Sequence, residues 1–187
     1  ASFGERETER RAMAALSNAF DEADTIILDV RGNGGGTSPS RLGRQLLGSD
    51  WRNWRTSEPT HDQQAASRQP ASSARYLVLI DRGCASACED FVMPFSTSAQ
   101  AILIGETTMG TSGQPEITHW SNGMELWVSR RRQWFPDGRP FEGVGVTPDV
   151  AVTLGAVDYQ HGAADRILEC ARTLARHLAC SAGASKE

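Results

Sequence analysis

One hydroxyl stands between two thiols and an acidic pair in Arg82-Gly83-Cys84-Ala85-Ser86-Ala87-Cys88-Glu89-Asp90-Phe91. The residues ahead of it, Tyr76-Leu77-Val78-Leu79-Ile80-Asp81, form a short run rich in Leu, Val and Ile. Such a run, ended by Asp-Arg-Gly, reads as a buried strand. The small residues and acids that follow read as the first turn of a helix. Ser86 thus falls where a strand turns sharply into a helix. That turn exposes the hydroxyl and aims unpaired backbone N–H groups at whatever binds there. Serine hydrolases set their nucleophile in this way. Serine is also a favoured helix N-cap, so this segment alone leaves both roles open.

A second segment bears on the choice. Thr25-Ile26-Ile27-Leu28-Asp29-Val30-Arg31 reads as another apolar strand and runs into Gly32-Asn33-Gly34-Gly35-Gly36. Successive glycines permit backbone angles that other residues avoid and let the main chain approach a ligand. Amides exposed there are placed to hold a developing oxyanion, the term that usually dominates acyl transfer. A plain turn or a phosphate loop are the other readings. No Lys follows the glycines, against a Walker-type loop, and the spacing does not fit a dinucleotide fingerprint.

Two of these stretches, Leu28-Asp29-Val30-Arg31-Gly32-Asn33-Gly34-Gly35-Gly36 and Ser86-Ala87-Cys88-Glu89-Asp90-Phe91, resemble the hallmark segments of the C-terminal processing protease family. That family includes tail-specific proteases, the tricorn protease core and the interphotoreceptor retinoid-binding protein repeats. Ile104-Gly105-Glu106-Thr107-Thr108-Met109-Gly110 resembles a third segment, and Glu142-Gly143-Val144-Gly145-Val146-Thr147-Pro148-Asp149-Val150 a fourth. They occur in the family's order between about residues 3 and 154. The resemblance implies an α/β fold of the crotonase/Clp-like type, with a mixed sheet and flanking helices, carrying a serine peptidase. It assigns Ser86 as nucleophile, backbone amides of Gly34 or Gly35 and of Ala87 as oxyanion donors, and Glu142 as an assistant to the base. A polypeptide is the implied substrate, and no cofactor or metal is called for. The retinoid-binding relatives supply the alternative of a non-catalytic module that binds a peptide or an apolar ligand.

The base is the gap in this assignment. The tail-specific branch pairs Ser with a Lys that follows the glycine of the third segment, where this chain has Thr111. A Lys base must be held beside the nucleophile and desolvated. The single Lys of the chain is Lys186, in the tail. The tricorn-like branch uses a His, but none of His61, His119, His161 and His177 matches its position. The resemblance therefore implies a His supplied by an upstream segment of a longer parent. Ser2-Phe3-Gly4 resembles the end of a family strand that enters from upstream. Residues 1–180 are then one catalytic domain shortened at its N-terminus, residues 181–187 a frayed tail, and the chain alone a weak or inactive hydrolase.

The remaining features fit a compact domain. The 187 residues include 39% hydrophobic and 22% charged side chains, enough for a core and against wholesale disorder. A formal charge of −4 gives no reason to expect nucleic acid, and Arg130-Arg131-Arg132 is too small a patch to change that. Helices are expected over residues 5–24, 40–47, 87–98 and 163–178, and strands over 25–30, 76–80 and 101–104. A hairpin is expected from 116–120 and 125–129, and an irregular insertion over 48–74. Because the family works mostly in exported compartments, where disulfides persist, Cys84–Cys88 or Cys170–Cys180 is expected to pair. A zinc site is disfavoured by the spacing of the four cysteines. Cys88 as a thiolate nucleophile remains a rival to Ser86.

Overall fold

Strand β3 (Arg75–Ile80) organises the molecule. It lies between β1 (Thr25–Asp29) and β4 (Ala101–Gly105), and β8 (Val150–Ala151) extends the sheet beyond β4. All three pairings are parallel, with Thr25 opposite Arg75, Tyr76 opposite Ala101 and Ile104 opposite Val150. The structure is a computed structural model; it describes residues 23–48, 55–56, 73–135 and 137–184, with residues 7, 10, 11, 13 and 14 ahead of them.

A parallel strand covered on both faces needs apolar residues at every position. In β3, Tyr76, Val78 and Ile80 join one buried cluster, while Leu77 and Leu79 join another on the opposite face. The first cluster is completed by Leu42, Leu46 and Leu47 of helix α1 (Ser40–Leu47) and by Phe91 and Val92 of helix α2 (Ala87–Val92). The second is covered by helix α3 (Arg166–Ala184), which buries Ile167 and Ala171 and packs Leu168, Leu174 and Leu178 at its margin. Tyr76 is fully buried, and its hydroxyl donates to the Leu46 carbonyl (3.2 Å). Burial pushes its phenol up to about 12.

Polar ties fix the covering elements. Arg31, just past β1, forks onto Asp165 with two contacts of 2.7 Å and also holds Asp29. Asp165 in turn accepts the Leu168 N–H at the start of α3 (3.0 Å). The guanidinium holds the Asp165 carboxyl below the usual range. Asp149 accepts the Leu103 N–H (2.8 Å), which anchors the approach to β8 against β4.

The antiparallel strands lie outside the main sheet. Strand β5 (Pro115–His119) pairs with β6 (Glu125–Ser129), and β2 (Arg55–Thr56) pairs with β7 (Gln133–Trp134). The expected mixture of strand directions is thus divided: a parallel sheet and separate antiparallel ribbons. The hairpin closes across Ser121-Asn122-Gly123 as expected: Trp120 N–H donates to Met124 O (2.9 Å), Gly123 N–H donates to Trp120 O (3.0 Å), and Gly123 takes φ 82°.

Other element boundaries differ for local reasons. The helix expected over 87–98 is α2 followed by a tighter 3-10 helix, Met93–Thr97. Pro94 lacks the N–H that a continuing α-helix requires. Helix α3 starts at Arg166 rather than near residue 163 and continues past Leu178 to Ala184. In the N-terminal stretch the described positions are helical, and Met13 packs on the first cluster. Leu16 and Phe20 lie outside the described residues, as do Trp51, Trp54 and His61. Among the described residues, no helix is long and apolar enough to cross a membrane.

Gly105 marks the tightest point of the sheet. Its φ is +131°, and a Cβ there would sit 2.0 Å from the Ile80 carbonyl oxygen. Gly105→Ala is expected to cost at least about 3 kcal/mol, combining backbone strain with overpacking. Urea denaturation monitored by circular dichroism checks this, and an unchanged midpoint would refute it.

Candidate active site

At the end of β3, Asp81 joins the glycine loop to the serine segment. Its Oδ1 accepts the N–H groups of Gly32 (2.9 Å) and Gly83 (3.0 Å). The chain then rises through Cys84 and Ala85 to Ser86, the residue before α2. Ser86 has φ 53° and ψ −122°, outside the regions that L-residues prefer. Such a conformation persists only where neighbouring structure imposes it.

Two hydrogen bonds hold the serine backbone. Its N–H meets the Thr111 carbonyl (2.8 Å) and Glu89 Oε2 (3.2 Å). The glycine loop closes from the other side: Ala85 N–H donates to Asn33 O (3.0 Å). A Cβ added to Gly35 would lie 2.7 Å from Ser86 Cβ, so only glycine allows this approach. The Gly35 N–H is itself engaged, donating to Asn33 Oδ1 (3.0 Å).

Glu89 is the residue that sequence reasoning left in the background. It is fully buried, and its carboxyl accepts Thr108 Oγ1–H (2.5 Å) and the N–H groups of Gly110 (2.6 Å), Thr111 (2.8 Å) and Ser86 (3.2 Å). Hydrogen bonds thus replace the water that this carboxyl gives up. The signal in the sequence is the Ser86-x-x-Glu89 spacing of a capping box.

The third and fourth segments interlock behind it. Thr108 Oγ1 accepts the Val146 N–H (2.8 Å), and Gly110 O accepts the Gly143 N–H (2.8 Å). Cβ atoms at Gly110 or Gly145 would fall 2.7 Å and 2.4 Å from the opposing backbone. All four sequence segments therefore converge around Ser86 and Glu89.

Glu142 lies beside this cluster and is partly buried. Burial raises its carboxyl above the ordinary range, and the neighbouring Glu89 adds to the rise; the N–H groups of Ser112 and Gln133 oppose it. Among the described residues its Oε1 has no hydrogen-bond partner, nor do Ser112 Oγ and Gln133 Oε1, all buried atoms.

Of the remaining candidates, His119 pairs with Glu125 in the exposed hairpin (3.0 Å), and His177 contacts Thr173 O on α3 (2.9 Å). His161 is exposed, and Thr111 meets the serine turn through its backbone. The Cys84–Cys88 pairing is formed, while Cys170 carries a free thiol. A groove of about 1010 Å³ at the ends of β1, β3 and β4 is lined by Asp29, Arg31, Asp81, Gly83 and Glu106, and Ser86 does not border it.

A parallel α/β sheet that presents a strained serine turn to a glycine loop belongs with hydrolytic enzymes. The comparisons name the family: the model for peptidase family S41 matches residues 1–152, and the chain belongs to that family. It is 32% identical over 146 residues to the chloroplastic C-terminal processing peptidase of Tetradesmus obliquus, covering 73% of this chain and 32% of that relative. Among solved structures it resembles the photosystem II D1 C-terminal processing protease with TM-score 0.64 and 28% identity, over 81% of this chain and 40% of the other. The tricorn protease shares the fold, with TM-score 0.61 and 22% identity, over 83% of this chain and 15% of the other. The chain spans about a third of the length of the curated relatives it matches.

Glu89→Ala strands three donors at once, Thr108 Oγ1–H and the N–H groups of Gly110 and Thr111, while Ser86 N–H keeps the Thr111 carbonyl; it is expected to cost about 3 kcal/mol or more, with faster amide exchange at Gly110 and Thr111. Denaturation and exchange measurements check this together; wild-type stability would remove Glu89 from its bracing role. Glu142 gives the opposite sign. A carboxyl whose folded pKa is raised holds its proton more tightly in the folded state. Its contribution is fully present below the unfolded value and lost as pH rises through the folded one. Glu142→Gln is therefore expected to melt higher than the wild type near pH 7 and to lose that advantage near pH 4. A pH series of melting temperatures tests the sign.

Proposed function

We propose that this chain is the catalytic domain of a serine endopeptidase, of the tricorn-like Ser/His/Glu type, with the His contributed from outside the chain. Ser86 attacks the substrate carbonyl. The amides of Gly34 and Ala87 receive the oxyanion. The Gly35 amide joins them only by exchanging its bond to Asn33. Glu142 supports the incoming base, for which its Oε1, unpartnered among the described residues, offers an acceptor. One observation carries the reading: Ser86 is held at φ 53° in contact range of a loop that only glycine can form. Membership of the S41 family supports it.

The base is assigned elsewhere because Thr111 occupies the Lys position and none of His61, His119, His161 and His177 matches the position of the family's His; His119 pairs with Glu125 in the hairpin and His177 contacts Thr173 O on α3. A serine without a base in hydrogen-bond reach is a weak nucleophile at neutral pH. Residues 1–180 are read as one catalytic domain whose upstream neighbour supplies the His. The substrate is a polypeptide. The relatives' names speak of C-terminal processing in chloroplasts and bacteria, which fits work in an exported or membrane-bounded compartment.

The test uses the chain together with its upstream segment, in one polypeptide or two. A fluorophosphonate probe is expected to label Ser86. Ser86→Ala is expected to lower peptide turnover at least about 10³-fold, with a melting temperature within about 2 °C of wild type. Unchanged turnover in the mutant would make Ser86 a cap. Uptake of a peptide or apolar ligand with no labelling would favour the binding-module reading.

A further inference from the structure

The disulfide spans the serine turn. Cys84 and Cys88 are four positions apart, with Cα atoms at 5.6 Å, and Ser86 is the midpoint between them. Both cysteines are fully buried and belong to the cluster that contains Val30, Val78, Ile80 and Phe141. Each end of the bridge is also tied to the site. Cys84 O accepts the Met109 N–H, and Cys88 N–H donates to Ala85 O, both at 3.0 Å.

We propose that the Cys84–Cys88 disulfide is a redox-sensitive lock on the serine turn: oxidised, it holds Ser86 against the glycine loop; reduced, it releases that contact. The functional meaning of the lock rests on the reading of Ser86 as nucleophile, but the lock itself does not. Sulfurs that share a bond sit inside van der Waals contact. Once the bond is cut they must separate, and they do so in a part of the core with no exposed surface. Added volume in a filled core is relieved by moving backbone. The backbone between these sulfurs is Ala85-Ser86-Ala87, already in a conformation that its surroundings must impose. The opposing side leaves little slack: a Cβ added at Gly35 would already meet Ser86 Cβ at 2.7 Å and the Ala85 carbonyl oxygen at 3.0 Å. The turn is therefore the part that moves.

The chemistry is thiol–disulfide exchange with a dithiol. A reductant thiolate attacks one cysteine sulfur, and the electron pair of the S–S bond leaves on the other, which takes a proton from water. The second reductant thiolate then attacks the mixed disulfide and frees the first cysteine as a thiolate, which is protonated. The dithiol ends as a cyclic disulfide, and Cys84 and Cys88 each gain one hydrogen. Burial of both sulfurs makes this attack wait for local opening of the turn, so the oxidised form is long-lived in the folded chain.

The test is amide hydrogen exchange on the whole 187-residue chain, with and without dithiothreitol, after alkylation has mapped free thiols. The oxidised protein is expected to show no alkylation at Cys84 and Cys88. Reduction is expected to speed exchange over residues 85–92 by about tenfold or more while β3 and β4 keep their protection. Cys84→Ala/Cys88→Ala serves as the control and is expected to be indifferent to dithiothreitol. Alkylation of either cysteine in the oxidised protein would overturn the proposal, as would unchanged exchange in the turn. A response in the double variant would place the effect on another cysteine, and loss of protection throughout β3 and β4 would make the bond a global stabiliser; either also overturns it. None of these readouts depends on peptidase activity, so failure of the lock and failure of the Ser86 assignment are told apart.

Discussion

A carboxyl buried without a cation beside it remains in a fold only when hydrogen bonds replace water on its oxygens. Glu89 meets that condition through donors from three places: its own helix start, Thr108, and the Gly110–Thr111 backbone. The requirement acts in both directions. The carboxyl needs those donors, and the donors, being backbone groups away from water, need the carboxyl. Satisfying it draws the segment after β4 against the start of α2, and the serine at that start acquires its unusual backbone angles as a result. Strain at Ser86 is stored because a neighbouring bond set over-determines it.

The parallel sheet makes this convergence possible. In an open α/β sheet the loops that leave the C-terminal ends of adjacent strands are neighbours, and ligand sites gather there. The glycine loop follows β1, the serine turn follows β3 and the Glu106–Gly110 segment follows β4, the three strands that pair side by side. The fourth segment is threaded in before β8. Glycines at positions 35, 110 and 145 let these loops meet backbone to backbone, where a methyl group would already clash. The opposite face is held by a different device, the Arg31–Asp165 fork that fastens α3 to the end of β1.

Much of this was legible because the patterns are local. The runs Thr25-Ile26-Ile27-Leu28 and Tyr76-Leu77-Val78-Leu79-Ile80 read as strands from their apolar content, the second of them buried throughout, and each ends in turn residues. Helix α1 was legible to its boundaries, and α3 by its face. What escaped has more than one cause. Strands β7 and β8 have two residues each, too short for any periodicity to show. The partners of Glu89 lie near residue 110, so its spacing from Ser86 hints at a cap but not at the brace. Asn33 carried no expected role, yet its side chain takes the amide of Gly35, one of the two glycines offered as oxyanion donors. The cysteine count allowed several pairings, and only the turn geometry selects Cys84 with Cys88.

Because every neighbour in the main sheet is parallel, no pair of its strands is closed by a tight turn. Synthesis from the N-terminus therefore releases β1 long before β3 exists to pair with it, and β8 emerges last of all. Long-range pairings of this kind are slow to form and leave unsatisfied edges in the meantime. The residues of the serine turn emerge on the way, but the Gly143 and Val146 amides that complete its surroundings follow only after β4 and the hairpin. A nascent chain that stalls earlier thus exposes apolar strands around an unfinished serine turn, a partial product fit for a chaperone.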